Sequence, residues 1–129
     1  MEFRSRTVLL IGDDPHNRTF LLDLLIAFGY SVLVAVTGEE GLHMGLNTRP
    51  DLVLIDLGPS SLNSWTLARQ LKESPRYSGA PVIALSAWAR PDDEDRTWSS
   101  GCDAYLRKPI ASRDLLTVLE RFVSSPAAV

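Results

Sequence analysis

Carboxylates and a lysine stand at the ends of three apolar runs in this sequence. The pair Asp13-Asp14 follows the run at 7–11, Asp56 lies within the run at 53–57, and Lys108 follows a later one. Burying an unpaired carboxylate is costly, so we expect Asp56 at the open end of its strand, with partners. If the three ends meet, three carboxylates and one ammonium group share a pocket.

Such a pocket has a defined chemistry. Three neighbouring carboxylates repel one another, so either a proton is trapped or a cation compensates. Mg²⁺ is the natural cation, because it takes oxygen ligands, keeps water and is usually held by one or two carboxylates plus a phosphate oxygen. Asp56 could then act as a nucleophile and become an aspartyl phosphate, while the Lys108 ammonium would pair with the new dianion. The residues therefore predict a site that handles phosphoryl groups.

The hydrophobic pattern predicts five strands that alternate with five helices. The first helix starts at Asp14-Pro15, where aspartate can cap and proline can occupy the first helical position. Thr37 followed by Glu40 has the form of a capping box at the second helix. The fourth helix opens at Pro91, and Trp98 is expected in its core. The strands are predicted at 7–11, 30–36, 53–57, 81–86 and 104–107, and the helices at about 15–28, 37–47, 64–73, 91–101 and 112–123.

Alternating βα units with right-handed crossovers predict an α/β fold, a (βα)5 doubly wound parallel sheet with helices on both faces. Among five-stranded versions, the order 2-1-3-4-5 places the first and third strands side by side and opens a ligand crevice at their carboxyl ends. Asp13, Asp14 and Asp56 belong to those ends. The 129 residues suit one domain, 1–129, with a core at about 6–123 and a loose tail at 124–129.

Composition excludes several classes of function. A net charge of −3 gives no electrostatic reason for direct nucleic-acid binding. Cys102 is the single cysteine, so neither an internal disulfide nor a cysteine-based metal site is expected. No apolar run approaches the roughly 20 residues that span a bilayer. We therefore expect a cytoplasmic protein without membrane contact.

Taken together, these residues resemble a known family. Asp13-Asp14, Asp56 on the third strand, Ser86 on the fourth, Tyr105 on the fifth and the following Lys108-Pro109 are similar to the receiver (CheY-like) domain of bacterial two-component response regulators. The resemblance covers essentially the whole chain, and it implies a flavodoxin-like fold and a role in phosphorelay signal transduction.

The resemblance also implies roles for the acidic residues. Asp14, Asp56 and the backbone carbonyl of Gly58 would bind Mg²⁺ directly, and Asp13 would help through water. Asp56 would accept the phosphoryl group from a sensor histidine kinase or a histidine phosphotransfer protein. The protein would then be a phosphoacceptor rather than an enzyme, with self-catalysed phosphoryl transfer and autodephosphorylation at most.

Further residues would carry the signal, by the same resemblance. Ser86 would hydrogen-bond the phosphoryl group, and Tyr105 would swing inward behind it. This would reshape the face made of the fourth helix, the fifth strand and the last helix, which would bind a downstream protein target or allow dimerisation on phosphorylation. The Lys108-Pro109 peptide would be cis, which the low penalty of an X-Pro bond permits.

The loop after Asp56 departs from the family pattern. Receivers usually carry proline four residues after the phosphorylated aspartate and glycine eight after it, whereas Ser60 and Ser64 occupy those places here and Pro59 comes three after. We therefore expect the loop at 58–63 to have a different shape.

Alternative interpretations stay open at this point. Asp13-Asp14 could merely cap the first helix. The chain could be a receiver-like interaction module that signals without phosphate. A magnesium phosphohydrolase is disfavoured, because Asp56-Leu57-Gly58 lacks a second carboxylate. Trp88 either covers the aspartyl phosphate and slows attack by water, or packs against the fourth helix.

Overall fold

The computed structural model describes residues 6–56, 64–86 and 98–123 of the chain. These residues form a five-stranded parallel sheet in the order β2-β1-β3-β4-β5, as predicted. The strands are β1 (Thr7–Gly12), β2 (Ser31–Ala35), β3 (Leu52–Asp56), β4 (Val82–Ser86) and β5 (Ala104–Arg107). The helices are α1 (Pro15–Ala27), α2 (Gly38–Asn47), α3 (Ser64–Glu73) and α4 (Ser112–Phe122), where α4 is the helix that follows β5.

The predicted helix at 91–101 falls mostly outside the described residues. Trp98 and Ser99 are helical, and Gly101 follows with a φ of +92°, a conformation that favours glycine. None of the helices in the described ranges has the length and apolar character that crossing a bilayer requires.

The sheet separates two hydrophobic clusters. Alternate residues of β1 point to opposite faces, so Val8 and Leu10 join one cluster while Leu9 and Ile11 join the other. The first cluster is covered by α1 and α4, and the second by α2 and α3. Both faces of the central strands are therefore dry, which explains their continuous apolar sequences.

Side chains cap the first two helices. The Asp14 carboxylate accepts a hydrogen bond from the Asn17 backbone N–H at 2.9 Å, with Pro15 at the first helical position. The Thr37 hydroxyl accepts from the Glu40 N–H at 3.0 Å. Both helix starts agree with the predicted caps.

Two aromatic residues on helices are half-exposed. Trp98, expected in a helix core, is 50% exposed, so that expectation is wrong, and Phe20 on α1 is 49% exposed. Phe20 lines a cavity that reaches Asp56, and Trp98 lines a surface depression beside Tyr105. Each ring therefore lines an opening at the surface instead of filling the core.

Candidate functional site

Asp56 occupies the carboxyl end of β3, where the sheet presents the ends of several strands. Its Cα pairs in register with that of Gly12 at the end of β1, and Ser86 pairs with Arg107 at the ends of β4 and β5. The peptide after β5 brings Lys108 to the same edge, and the Lys108-Pro109 bond is cis, as expected. The parallel topology thus gathers residues from strands far apart in the chain.

The two oxygens of Asp56 have different surroundings. The side chain is only 3% exposed, and Oδ1 forms an ion pair with the Lys108 ammonium. Oδ2 is also buried, and within the described residues no donor reaches it. Since buried carboxylate oxygens nearly always have partners, Oδ2 is the atom of this site that can take a ligand.

Charge and burial compete over the protonation of Asp56. Burial is the largest influence and raises the pKa of the carboxyl group, while the hydrogen bond and the charge of Lys108 lower it. The negative charges of Asp13 and Asp14 add to the rise, and the net pKa lies above its ordinary value. Asp13, Asp14 and Lys108 therefore all influence the protonation of one buried carboxyl group.

The two adjacent acids have different tasks. Asp14 uses Oδ2 to cap α1, whereas Asp13 has the larger effect on the pKa of Asp56. In the described part of the chain, no three side chains of histidine, cysteine, aspartate or glutamate are grouped as metal ligands. A cation held here would therefore depend on one or two carboxylates together with backbone oxygen and water, the usual surroundings of Mg²⁺.

A cavity of about 520 Å³ opens beside Asp56 and Lys108. Its walls come from α1, through Asn17 and Phe20, and from the segment after β5, through Pro109 and Ile110. No motif in the sequence assigns these wall residues to the site. The signal that could have identified them is their placement, since Asn17 and Phe20 are three apart on one helix face.

Several predicted site residues are only partly described. Ser86 ends β4 at the expected edge, but its side chain lies outside what the structure describes. Gly58 and Trp88 belong to the ranges 57–63 and 87–97, which are also outside. Tyr105 is half-buried on β5 and lines the depression next to Trp98, rather than the cavity at Asp56.

Fold and site together define a receiver domain. The family model of the response regulator receiver domain matches residues 8–120, and the chain belongs to this family of two-component signalling proteins. Among curated relatives, the polar-differentiation response regulator DivK of Brucella anthropi is 30% identical over 118 residues, which are 92% of this chain and 96% of that protein.

Solved structures agree with this assignment. One is the receiver domain of the sensor histidine kinase PA1611 of Pseudomonas aeruginosa, which has a magnesium ion coordinated in its active site cleft. It is 27% identical to this chain, and the two superpose with a TM-score of 0.84 over 95% of this chain and 100% of that one. The receiver domain of Ssk1 of Saccharomyces cerevisiae, crystallised with the histidine phosphotransfer protein Ypd1, has a TM-score of 0.80 and covers 95% of this chain and 91% of that one. At 22% identity, this second likeness shows the fold alone.

Proposed function

We propose that this receiver domain accepts a phosphoryl group on Asp56 in a Mg²⁺-dependent reaction and thereby changes its affinity for a protein partner. The observation that carries the proposal is the buried Asp56 carboxylate, with one oxygen paired to Lys108 and the other without a donor in the described residues. A carboxylate kept buried at an open cavity is poised for reaction, because it is desolvated yet within reach of a donor group.

The residues present fit a magnesium ion. The buried Oδ2 atom of Asp56 and the nearby Asp13 carboxylate supply hard oxygen ligands, and the backbone carbonyl of Gly58 is proposed as a further one. Of the two acids, Asp13 has the larger electrostatic effect on Asp56, so we propose that Asp13 binds directly and Asp14 through water, the reverse of what the family resemblance implied. When bound, the ion would withdraw charge from the incoming phosphoryl oxygens.

The protein side chains would perform the remaining steps. The ionised Asp56 carboxylate attacks phosphorus, forming an O–P bond while the P–N bond of the donor phosphohistidine breaks and the imidazole nitrogen leaves. Lys108 lowers the pKa of Asp56 against the effect of burial and would then pair with the phosphoryl dianion. Ser86 is proposed to donate a hydrogen bond to the phosphoryl group from the end of β4.

The phosphoryl donor is proposed to be a sensor histidine kinase or a histidine phosphotransfer protein. Membership of the response regulator receiver family supports this class of partner. The downstream target, and a dimer that forms on phosphorylation, are proposed to use the surface around Tyr105. We propose that phosphoryl transfer to Asp56 and its hydrolysis are the only chemistry of the chain, which acts as a single domain.

Phosphorylation by acetyl phosphate tests the function directly. We expect the wild-type protein to gain the mass of one phosphoryl group when Mg²⁺ is present, and Asp56→Asn to remain unmodified. Asp23→Asn, which changes an exposed acid on α1 in the same way, is the matched control and should behave as wild type. Wild-type protein that stays unmodified with acetyl phosphate, carbamoyl phosphate and a phosphorylated histidine phosphotransfer protein would refute the proposal and leave an interaction module that signals without phosphate.

A further inference from the structure

Arg18 lies over the end of β1, next to the site. This partly buried residue in the second turn of α1 donates a hydrogen bond from Nη1 to the backbone carbonyl of Gly12 at 2.8 Å. Its Cβ and Cγ atoms lie 3.6 and 3.7 Å from the position that a Cβ on Gly12 would occupy. Arg18 therefore packs against Gly12 with its aliphatic stem and holds it with its guanidinium group.

Gly12 connects this contact to the reacting carboxylate. Its Cα pairs with Asp56, and the Asp56 carbonyl oxygen lies 3.8 Å from the same Cβ position. The Gly12 carbonyl shares a planar peptide unit with the Asp13 N–H, so its direction also sets the direction in which the chain enters Asp13. Glycine has more backbone freedom than any other residue, so the hydrogen bond from Arg18 adds to the restraint that strand pairing places on this peptide.

We infer that Arg18 is a positioning residue, which holds the Gly12 peptide so that Asp13 is presented beside Asp56 for the divalent ion. The inference rests on the proposed function, since it assigns Arg18 to the same site. Substituting a group that orients a metal ligand typically lowers the affinity for the metal by roughly 10- to 100-fold.

The direction in which Mg²⁺ affinity changes when Arg18 is replaced distinguishes a positioning role from a purely electrostatic one. A guanidinium group close to a cation site repels the cation, so removing its charge alone would strengthen Mg²⁺ binding. Losing the hydrogen bond to Gly12 frees the peptide before Asp13 and would weaken Mg²⁺ binding. The two explanations thus predict opposite changes for the same substitution.

Mg²⁺ titration by calorimetry, with Arg18→Met as the test variant, distinguishes them. We expect Arg18→Met to bind Mg²⁺ roughly tenfold more weakly than wild type. Arg18→Lys keeps the positive charge and a hydrogen-bond donor, so its affinity for Mg²⁺ should lie between those of wild type and Arg18→Met. Arg121→Met, which removes an exposed arginine in the last turn of α4, is the control for charge loss and should match wild type.

A second measurement needs no metal. In metal-free protein, we expect the Gly12 carbonyl ¹³C and the Asp13 amide ¹⁵N resonances to shift in Arg18→Met and to keep their wild-type positions in Arg121→Met. Urea unfolding of each variant shows whether its fold is intact; a purely structural role would lower stability and leave Mg²⁺ affinity unchanged.

The outcomes bear on different claims. If wild-type protein binds Mg²⁺ and folded Arg18→Met binds it equally well or more tightly, the inference about Arg18 is wrong and the proposed function is unaffected. Wild-type protein that binds no Mg²⁺ would overturn the proposed function together with the part assigned to Arg18.

Discussion

Replacing Lys108 by methionine removes the cation that pairs with Asp56 while keeping an unbranched side chain of similar length. We expect Lys108→Met to lower the free energy of unfolding by about 2 kcal/mol at pH 7 in metal-free buffer. The reason is that the Asp56 carboxylate, only 3% exposed, would lose its one ion-pair partner in the described residues.

The magnitude follows from the burial of the two partners. Breaking a fully buried pair costs about 3–5 kcal/mol, and an exposed pair contributes about 0.2–1 kcal/mol. The Lys108 side chain is 24% exposed, so the pair lies between these limits. For a domain of this size, a loss of about 2 kcal/mol lowers the Tm by roughly 8 °C.

The loss should depend on pH in a defined direction. Burial raises the pKa of Asp56, and Lys108 opposes that rise. Because the folded state then holds the proton more tightly than the unfolded state, stability falls as the pH rises from about 4 through the raised pKa. Without Lys108 that pKa is higher still, so the fall extends to higher pH. Acidification toward pH 4 should restore most of the lost stability.

The coupling between Lys108 and Asp56 can be measured by urea unfolding followed by circular dichroism, with Lys108→Met made in the wild-type and in the Asp56→Asn protein. Asp56→Asn has no carboxylate that Lys108→Met could leave buried without an ion-pair partner. In this background, Lys108→Met should therefore change the free energy of unfolding by less than about 0.5 kcal/mol. Equal losses in the two backgrounds would show that Lys108 stabilises the protein through other contacts, and would refute the reasoning.

Three further substitutions test individual contacts. Asp13→Asn should weaken Mg²⁺ binding roughly tenfold or more without loss of stability, as calorimetric titration can show. Asp14→Ala should lower the free energy of unfolding by about 1 kcal/mol through loss of the helix cap; a larger loss of Mg²⁺ affinity than in Asp13→Asn would contradict the roles assigned here. Gly41→Ala should destabilise by about 1–3 kcal/mol although alanine favours helices, because its Cβ would lie 2.6 to 2.8 Å from three carbons of Ile11; an unchanged urea midpoint would count against this packing.

Much of the fold could be predicted from periodicity alone. The bounds of α3 and β5 agree with the predicted ranges, and the observed strand order is the one chosen among the orders that alternating strands and helices allow. Fully apolar strands are recognisable because both faces of the sheet are covered. The single-domain assignment stays a prediction.

The site was less predictable, because neighbouring residues of the same type take different roles. The sequence places the cap of α1 at Asp14, before Pro15, but it does not indicate that Asp13 has the larger electrostatic effect on Asp56. β1 extends through Gly12, one residue beyond the predicted run, so a glycine rather than an acid pairs with Asp56. The contact of Arg18 with that glycine depends on the angle at which α1 leaves the strand, which no pattern in the sequence encodes.

Burial differs sharply across the sheet. Every residue of β3 is enclosed by the rest of the protein, whereas three of the four residues of β5, Tyr105–Arg107, retain contact with solvent. Deforming the centre would open a close-packed interior, while the β5 margin can rearrange with little loss of packing. The opposite edge strand, β2, has only one buried residue in five, so mechanical compliance is concentrated at the two borders of the sheet, and we expect amide hydrogen exchange to be faster in β2 and β5 than in β1 and β3.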